Sequence, residues 1–137
     1  MLHRELTNQI LQAFFAVYKT LGPGFLEKVY ENALLLELRS QGVQVEQQVA
    51  IPVYYKGVQV GTYYADLLVG GEVIVEIKAA ESLHPSHEAQ LLNYLKATDK
   101  EVGLVLNFGP KPRFIRRIWT NDRKHLLPPP TTPPGKT

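Results

Sequence analysis

The stretch YYADLLVGGEVIVEIKAA, residues 63–80, has the pattern of two β-strands and the turn between them. A Gly-Gly pair supplies the turn, and β-branched and aliphatic residues flank it on both sides. This apolar hairpin nevertheless carries Asp66, Glu76 and Lys78. Charged side chains are costly to bury, so their presence in a core-forming segment requires an explanation.

The composition of the whole chain predicts one globular domain. The chain has 137 residues, 45% of them hydrophobic and 20% charged, which is enough for one core. We expect a single domain over residues 1–127, followed by a disordered tail over residues 128–137, PPPTTPPGKT. No apolar run approaches the roughly 18 residues of a membrane span, and charges interrupt the first apolar stretch, unlike a signal peptide. We therefore expect a cytoplasmic protein without a membrane partner.

The distribution of charge is more informative than its total. The net charge of +2 is too small to indicate nucleic-acid binding by itself, and the absence of cysteine excludes disulfide bonds and thiolate metal sites. Basic residues cluster in KPRFIRRIWTNDRK, residues 111–124, which includes Arg116 and Arg117. This cluster is either an exposed strand edge or a surface that attracts a phosphate backbone.

Hydrophobic periodicity and turn residues predict a mixed α/β fold. The predicted elements are, in order, a helix through Leu6 and Leu21 that ends at GPG, a helix from Phe25 to about Ser40, a meander of three strands that ends with Val73–Lys78, a helix over HPSHEAQLLNYLKATD, a strand over EVGLVLNF and an edge strand over RFIRRIW.

Two of the predicted helices have apolar faces that bear on the charged residues. In the second helix a broad apolar stripe has Glu27 beside it and contains Leu26, Val29, Tyr30, Ala33, Leu34 and Leu38. In the third helix the sheet-facing side is predicted to hold Ala89, Leu92 and Leu95, with Leu91 alongside. Gln90 and Tyr94 are four residues apart and therefore share another side.

Strand alternation places the three charges. Glu76 and Lys78 share one face of their strand, and pairing around the Gly-Gly turn puts Asp66 roughly opposite Glu76. Two carboxylates and an ammonium at the margin of a core cost several kcal/mol per uncompensated ion, a cost that a divalent cation such as Mg²⁺ would offset. This pattern suits metal-assisted phosphodiester cleavage. A solvated Glu–Lys ion pair is the alternative that the hairpin alone leaves open.

A family resemblance extends this interpretation. The spacing of three charged residues resembles the catalytic motif of the PD-(D/E)XK nuclease superfamily. Nine residues separate Asp66 from Glu76, and one residue separates Glu76 from Lys78. GFLEKVY, from Gly24 to Tyr30, resembles the signature of the GxxExxY protein family, a branch of that superfamily. The segments ADLLV, VEIKA, HEAQLLNYL and GLVLNFG resemble that family in the same order, over about residues 3–119. The resemblance implies a restriction-endonuclease-like core, a mixed sheet of four to five strands flanked by helices.

The resemblance also implies roles for individual residues. It implies a site for Mg²⁺, with Mn²⁺ able to substitute, formed by Glu27, Asp66, Glu76 and the carbonyl of Ile77. It implies catalytic roles for Asp66, Glu76, Lys78, Gln90 and Tyr94, the last two similar to residues of RecB-like and lambda-exonuclease-like nucleases. Without the resemblance, Glu27 would suit an ordinary acid at a helix N-terminus.

Substrate contacts are predicted around this set. The candidates are Tyr94, His87, Arg116 and Arg117, because basic residues beside a metal site attract a phosphate backbone. His87 lies three residues from His84, and a loop histidine pair is otherwise solvated.

Three classes of function remain from the sequence. The first is a Mg²⁺-dependent nuclease that acts on nucleic acid, with DNA favoured over RNA. The second is a nucleic-acid-binding module that keeps the nuclease fold without turnover. The third is a protein-interaction domain that uses the tail and an apolar helix face. The presence of both Glu76 and Lys78 favours the first class.

Overall fold

The computed structural model describes residues 3–127, which form a five-stranded mixed sheet with helices on both faces. Its elements are α1 (Arg4–Leu21), α2 (Glu27–Ser40), β1 (Val45–Tyr55), β2 (Val58–Val69), β3 (Val73–Lys78), α3 (Pro85–Lys96), β4 (Val102–Phe108), β5 (Pro112–Ile118) and a short 3₁₀ turn (Asn121–Arg123). The predicted order of elements is confirmed, whereas the predicted tail over 128–137 lies outside the described residues. None of the helices within residues 3–127 combines the length and apolar character that a membrane span requires.

The strands follow one another across the sheet in chain order, β1-β2-β3-β4-β5. All neighbours are antiparallel except β3 and β4, which are parallel and joined by α3. The β2–β3 hairpin turns through Gly70 and Gly71, whose φ angles of 61° and 70° lie in the left-handed region. Two consecutive positive φ angles are the requirement of a tight hairpin turn whose twist matches the strands, which explains the Gly-Gly pair.

Strand β3 is buried on both faces and divides the core into two parts. Val73, Val75 and Ile77 pack with α1 and α2 on one face, and Ile74 packs with α3 on the other. A strand buried in this way belongs to the centre of a sheet that helices cover on both sides. Glu76 and Lys78 of the catalytic motif predicted from the sequence therefore lie on a central, buried strand.

The alternation of side chains along β1 and β2 changes phase beside this strand. Val45 and Leu67 face α1 and α2, whereas Val49 and Ala65 face α3. An unbroken strand would put residues two and four apart on one face. The change coincides with Gln48, whose φ of 53° is a left-handed conformation that is strained for a residue with a β-carbon. The chain here is bent locally rather than regularly extended.

The apolar stripe predicted for α2 is wrong in part. Leu26 is 80% exposed and Val29 is 40% exposed, while Glu31 is 3% exposed. The ring of Tyr30 stacks on that of Phe108, with centroids 4.4 Å apart, and this buried contact fixes the rotation of the helix. Glu31 therefore faces the sheet in the place that the predicted stripe assigned to apolar side chains.

The sheet-facing side predicted for α3 is also wrong in part. Ala89 is exposed, whereas Leu91, Tyr94 and Leu95 are buried. The helix is turned so that Tyr94, its largest side chain, packs against the ring of Tyr63 on β2. The buried side of α3 thus contains one of the predicted site residues.

The end of β4 holds the segment that directly follows Lys78. The Asn107 side chain accepts a hydrogen bond from the Ala80 N–H (2.9 Å) and donates one to the Ala80 carbonyl (3.1 Å). Gly109 approaches the same carbonyl so closely that an added Cβ would lie 2.0 Å from its oxygen. Only glycine fits at this position, because the atom that a Cβ would meet belongs to the backbone and cannot rotate away as a side chain can.

We predict that Gly109→Ala lowers the free energy of unfolding by about 1–3 kcal/mol, the usual cost of overpacking. The matched control is Gly61→Ala on β2, where an added Cβ would meet nothing within 4 Å. That variant should stay within about 0.5 kcal/mol of the parent protein. Urea denaturation followed by circular dichroism measures both, and equal effects of the two substitutions would contradict the close contact at Gly109.

Candidate active site

Asp66 and Glu76 lie opposite each other where β2 and β3 separate. The two strands pair from Val69–Val73 to Leu67–Val75, and the next position would pair Asp66 with Glu76. There the side chains replace the backbone ladder: the Asp66 N–H donates to Glu76 Oε2 (2.8 Å), and the Ile77 N–H donates to Asp66 Oδ2 (2.7 Å). Each carboxylate therefore satisfies a backbone donor of the other strand.

Lys78 lies on the same face of β3 as Glu76, and α3 covers this face. Its ammonium donates to Gln90 Oε1 (3.4 Å), and Gln90 Nε2 in turn donates to the Tyr94 hydroxyl (2.8 Å). Within residues 3–127 the Lys78 ammonium forms no salt bridge with either acid. The structure therefore does not show the alternative, a simple ion pair between Glu76 and Lys78.

Glu31 and Gln48 approach the carboxylate pair from the α2 side. The Gln48 side chain donates to both Glu31 oxygens (3.1 and 3.2 Å) and to Asp66 Oδ1 (3.3 Å). Gln47 donates a further bond to Glu31 (2.6 Å), and Lys28 forms an ion pair with it (3.0 Å). Gln48, in its left-handed conformation within β1, thus connects a third acid to the pair.

Burial and mutual repulsion raise the pKa of both central acids. Burial, and after it the neighbouring Asp66 charge, raise the pKa of Glu76 to about 8. Burial also raises the pKa of Asp66 and outweighs the hydrogen bond from Ile77, while Glu31 raises it further. Lys78 acts in the opposite direction on both acids but more weakly. Such a pair favours a bound proton or cation over two bare charges.

A comparison with protein families gives this arrangement a context. The sequence profile of the PD-(D/E)XK nuclease superfamily matches residues 4–118, most of the chain. The chain belongs to the PD-(D/E)XK nuclease superfamily. Its five-stranded mixed sheet with flanking helices is accordingly a restriction-endonuclease-like α/β fold, as predicted. Members of this superfamily act on nucleic acid and typically use divalent metals.

Solved structures provide a second comparison. The chain resembles the crystal structure of SSO0001 at 20% sequence identity and a TM-score of 0.56. The likeness covers 71% of this chain and 52% of that chain, so this chain spans about half the length of SSO0001. At this level of identity the likeness shows a shared fold alone. A comparison with curated proteins found no match.

The oxygen donors of this PD-(D/E)XK domain fit a hard divalent cation that takes only a few of its ligands from the protein. Within residues 3–127, no three acidic or histidine side chains converge as a ready-made metal cluster. Asp66 and Glu76 nevertheless offer two adjacent carboxylates, and within the same residues Glu76 Oε1 accepts no hydrogen bond. Mg²⁺ characteristically keeps several waters and needs only one or two carboxylates.

Glu27, predicted as a metal ligand, lies exposed at the first position of α2. Among residues 3–127 it makes no hydrogen bond or ion pair. The acid of α2 whose charge acts on Asp66 and Glu76 is Glu31, one helical turn further on. Residues four apart share a helix face, so the spacing did not distinguish the two acids.

His87, predicted as a substrate contact, closes the N-terminus of α3. Its Nδ1 accepts the His84 N–H (3.1 Å), and the His84 ring accepts the Ser86 N–H (3.1 Å). Burial lowers the pKa of His87, and the nearby Lys78 lowers it further. His87 is therefore a neutral imidazole near Lys78 whose proton resides on Nε2.

Arg116 and Arg117 lie on opposite faces of β5. Arg117 shares the α3 face with Ile115 and forms an ion pair with Glu88. Arg116 shares the other face with Phe114, whose ring contacts Phe15 of α1. The two adjacent arginines do not form one cluster, because alternate residues of a strand face opposite sides.

We predict that Glu76 makes the metal-free protein less stable as the pH rises. Its pKa is about 8 in the folded state against an ordinary 4.5. Between these values the folded state binds more protons than the unfolded state, so the free energy of unfolding falls with rising pH. From about pH 5 to pH 8 the parent protein should lose about 2–4 kcal/mol more than Glu76→Gln, whose amide does not titrate.

Urea denaturation in EDTA at several pH values measures this difference. Glu46→Gln, which changes an exposed acid on β1, is the matched control and should follow the parent protein. Identical pH profiles for the parent protein and Glu76→Gln would contradict the raised pKa.

Proposed function

We propose that this protein is a Mg²⁺-dependent nuclease that hydrolyses phosphodiester bonds, with DNA as the favoured substrate. The observation that carries the proposal is the pair of the half-buried Asp66 and the buried Glu76 beside an ammonium, Lys78, that neither acid engages in a salt bridge. The pKa values of both carboxyl groups are raised, as expected for a site that favours a bound cation.

The cation would be held by Asp66 and Glu76, with the carbonyl of Ile77 as a further oxygen donor. When bound, a divalent cation lowers the pKa of a coordinated water and offsets charge on the phosphate. Glu31 and Asp66 accept hydrogen bonds from the same Gln48 side chain, so the Glu31 carboxylate adds negative charge near the pair and assists cation binding. Glu27, exposed on the preceding turn, is the second acid that α2 offers.

Lys78 acts on the substrate side of this pair. Gln90 accepts a hydrogen bond from its ammonium, which leaves further protons for a phosphate oxygen or the attacking water. Tyr94, whose pKa burial raises to about 12, keeps its hydroxyl proton and acts as a neutral donor. His87 and Arg117 are the substrate contacts that we retain, because both lie on the α3 side of the sheet.

The segment from Gly24 to Tyr30 supports membership of the GxxExxY branch. Gly24 has a φ of 111°, and the Tyr30 hydroxyl donates to the Gly22 carbonyl (2.5 Å) and accepts the Phe25 N–H (3.1 Å). The glycine and tyrosine of this signature therefore support a loop conformation. Its glutamate, Glu27, is exposed and makes no hydrogen bond or ion pair within residues 3–127.

We predict that Lys78→Ala separates cation binding from cleavage. Removal of a positive charge does not weaken cation binding electrostatically, so the Mg²⁺ affinity should stay within about 3-fold or increase. Cleavage should fall by about 10²-fold or more. Glu76→Ala, which removes a ligand, should lose both activities.

Calorimetry with Mg²⁺ and single-turnover cleavage of a labelled duplex measure the two effects. Lys19→Ala, at an exposed lysine in the last turn of α1, controls for loss of one positive charge and should leave both unchanged. Cleavage by Lys78→Ala at the parent rate would leave Lys78 with a structural role only.

A second candidate function is a nucleic-acid-binding module that does not cleave. The absence of a three-residue metal cluster within residues 3–127 favours it. Linear, circular and single-stranded DNA and RNA, each tested with Mg²⁺ and with Mn²⁺, separate the two candidates. Binding without cleavage of any of these substrates would support the module and overturn the nuclease.

A further inference from the structure

Tyr63 presents an exposed aromatic ring at the edge of the candidate active site. It lies on β2, three residues before Asp66, and is 52% exposed. Its ring centroid is 5.6 Å from that of Tyr94, with the two planes inclined by 46°. Tyr94 is in turn hydrogen bonded to Gln90, which contacts Lys78. A continuous row of side chains therefore connects Tyr63 to the catalytic ammonium.

The bend at Gln48 directs this ring towards α3. Tyr63 pairs with Ile51 of β1 and lies two residues before Ala65, hence on the same face, and both Ile51 and Ala65 pack against α3. Without the change of phase, Tyr63 would face the α2 side with Leu67. The two phenol groups also lie close enough for Tyr63 to raise the pKa of Tyr94. Tyr63 therefore contacts Tyr94 while much of its side chain stays open to solvent.

We propose that Tyr63 is a stacking platform for an unpaired nucleobase next to the scissile phosphate, so that the preferred substrate is single-stranded or frayed nucleic acid. This inference rests on the proposed nuclease function and adds the substrate class to it. A base in a duplex stacks on its neighbours and exposes only its edges in the grooves, so a flat ring beside the reacting phosphate suits an unpaired base.

The neighbouring residue provides a matched control. Tyr64 is 56% exposed, almost the same as Tyr63, but it lies on the opposite face of the strand, where it pairs with the exposed Ala50. Loss of Tyr64 removes an equivalent exposed ring without altering the row of side chains that leads to Lys78. Any general effect of an exposed tyrosine on solubility or binding should therefore be equal for the two positions.

The test measures binding in the Lys78→Ala background with Mg²⁺ present, so that turnover does not interfere. The probes are a labelled single-stranded oligonucleotide and a duplex of the same sequence closed at each end by a linker without nucleobases, so that the duplex has no unpaired base and cannot fray. Adding Tyr63→Ala should weaken single-strand binding by about 5- to 100-fold, the usual value of one stacked base, and change duplex binding by less than about 2-fold. Tyr63→Phe, which keeps the ring, and Tyr64→Ala should both stay within about 2-fold on either probe.

A spectroscopic readout tests stacking itself. A 2-aminopurine moved one position at a time along the single strand should change its fluorescence at one position on binding. Tyr63→Leu, which keeps an apolar side chain against Tyr94 but has no π-face, should abolish that change, while Tyr63→Phe and Tyr64→Ala preserve it. If Tyr63→Ala does not fold, Tyr63→Leu takes its place in the binding measurements.

The outcomes separate this inference from the proposed function. Equal losses of single-strand affinity for Tyr63→Ala and Tyr64→Ala would overturn the stacking role. Equal losses of affinity for the single strand and for the closed duplex on Tyr63→Ala would also overturn it. A wild-type chain that binds no nucleic acid would overturn the proposed function and the inference with it. Selective loss of single-strand binding supports the inference even where the wild-type chain cleaves nothing, because the measurement is of binding.

Discussion

The reciprocal hydrogen bonds between Asp66 and Glu76 across the β2–β3 junction are the constraint on which the site depends. They allow β2 to leave β3 without leaving buried backbone N–H groups unpaired, which would cost about 1–3 kcal/mol each. They also hold two carboxylates side by side at low exposure, where burial outweighs the hydrogen bonds and raises both pKa values. The arrangement that opens the sheet is therefore the same one that creates a demand for positive charge.

Two separate faces of the sheet supply the other groups of the site. Glu31 reaches Asp66 from the α2 side through Gln48, while Lys78 and Gln90 meet on the α3 side. An ordinary sheet would keep these groups apart, because its backbone separates the two faces. Here β2 diverges from β3, and the strained turn at Gln48 lets the groups of both faces meet at one edge. The strain at Gln48 is thus linked to the geometry of the site.

The sequence predicted the order of the elements, the hairpin turn at the Gly-Gly pair and the opposition of Asp66 and Glu76, because these depend on local periodicity and on register near a tight turn. It did not predict that Glu31 rather than Glu27 would be the buried acid of α2. That choice depends on the rotation of the helix, which Tyr30 sets through a stacked contact with Phe108, a residue 78 positions away. The phase change at Gln48 was missed for a similar reason, since glutamine carries no local signal for a positive φ.

The separation of Lys78 from the two acids has a consequence for substrate binding. Had Lys78 formed a salt bridge with Glu76, each charge would have compensated the other and the site would have been complete by itself. Instead, within residues 3–127, neither Asp66 nor Glu76 forms an ion pair with a basic side chain, and the Lys78 ammonium forms none with an acid. Under the proposed function, a phosphodiester accompanied by a divalent cation would supply both partners at once. Binding of the two together would then be favoured over binding of either one alone.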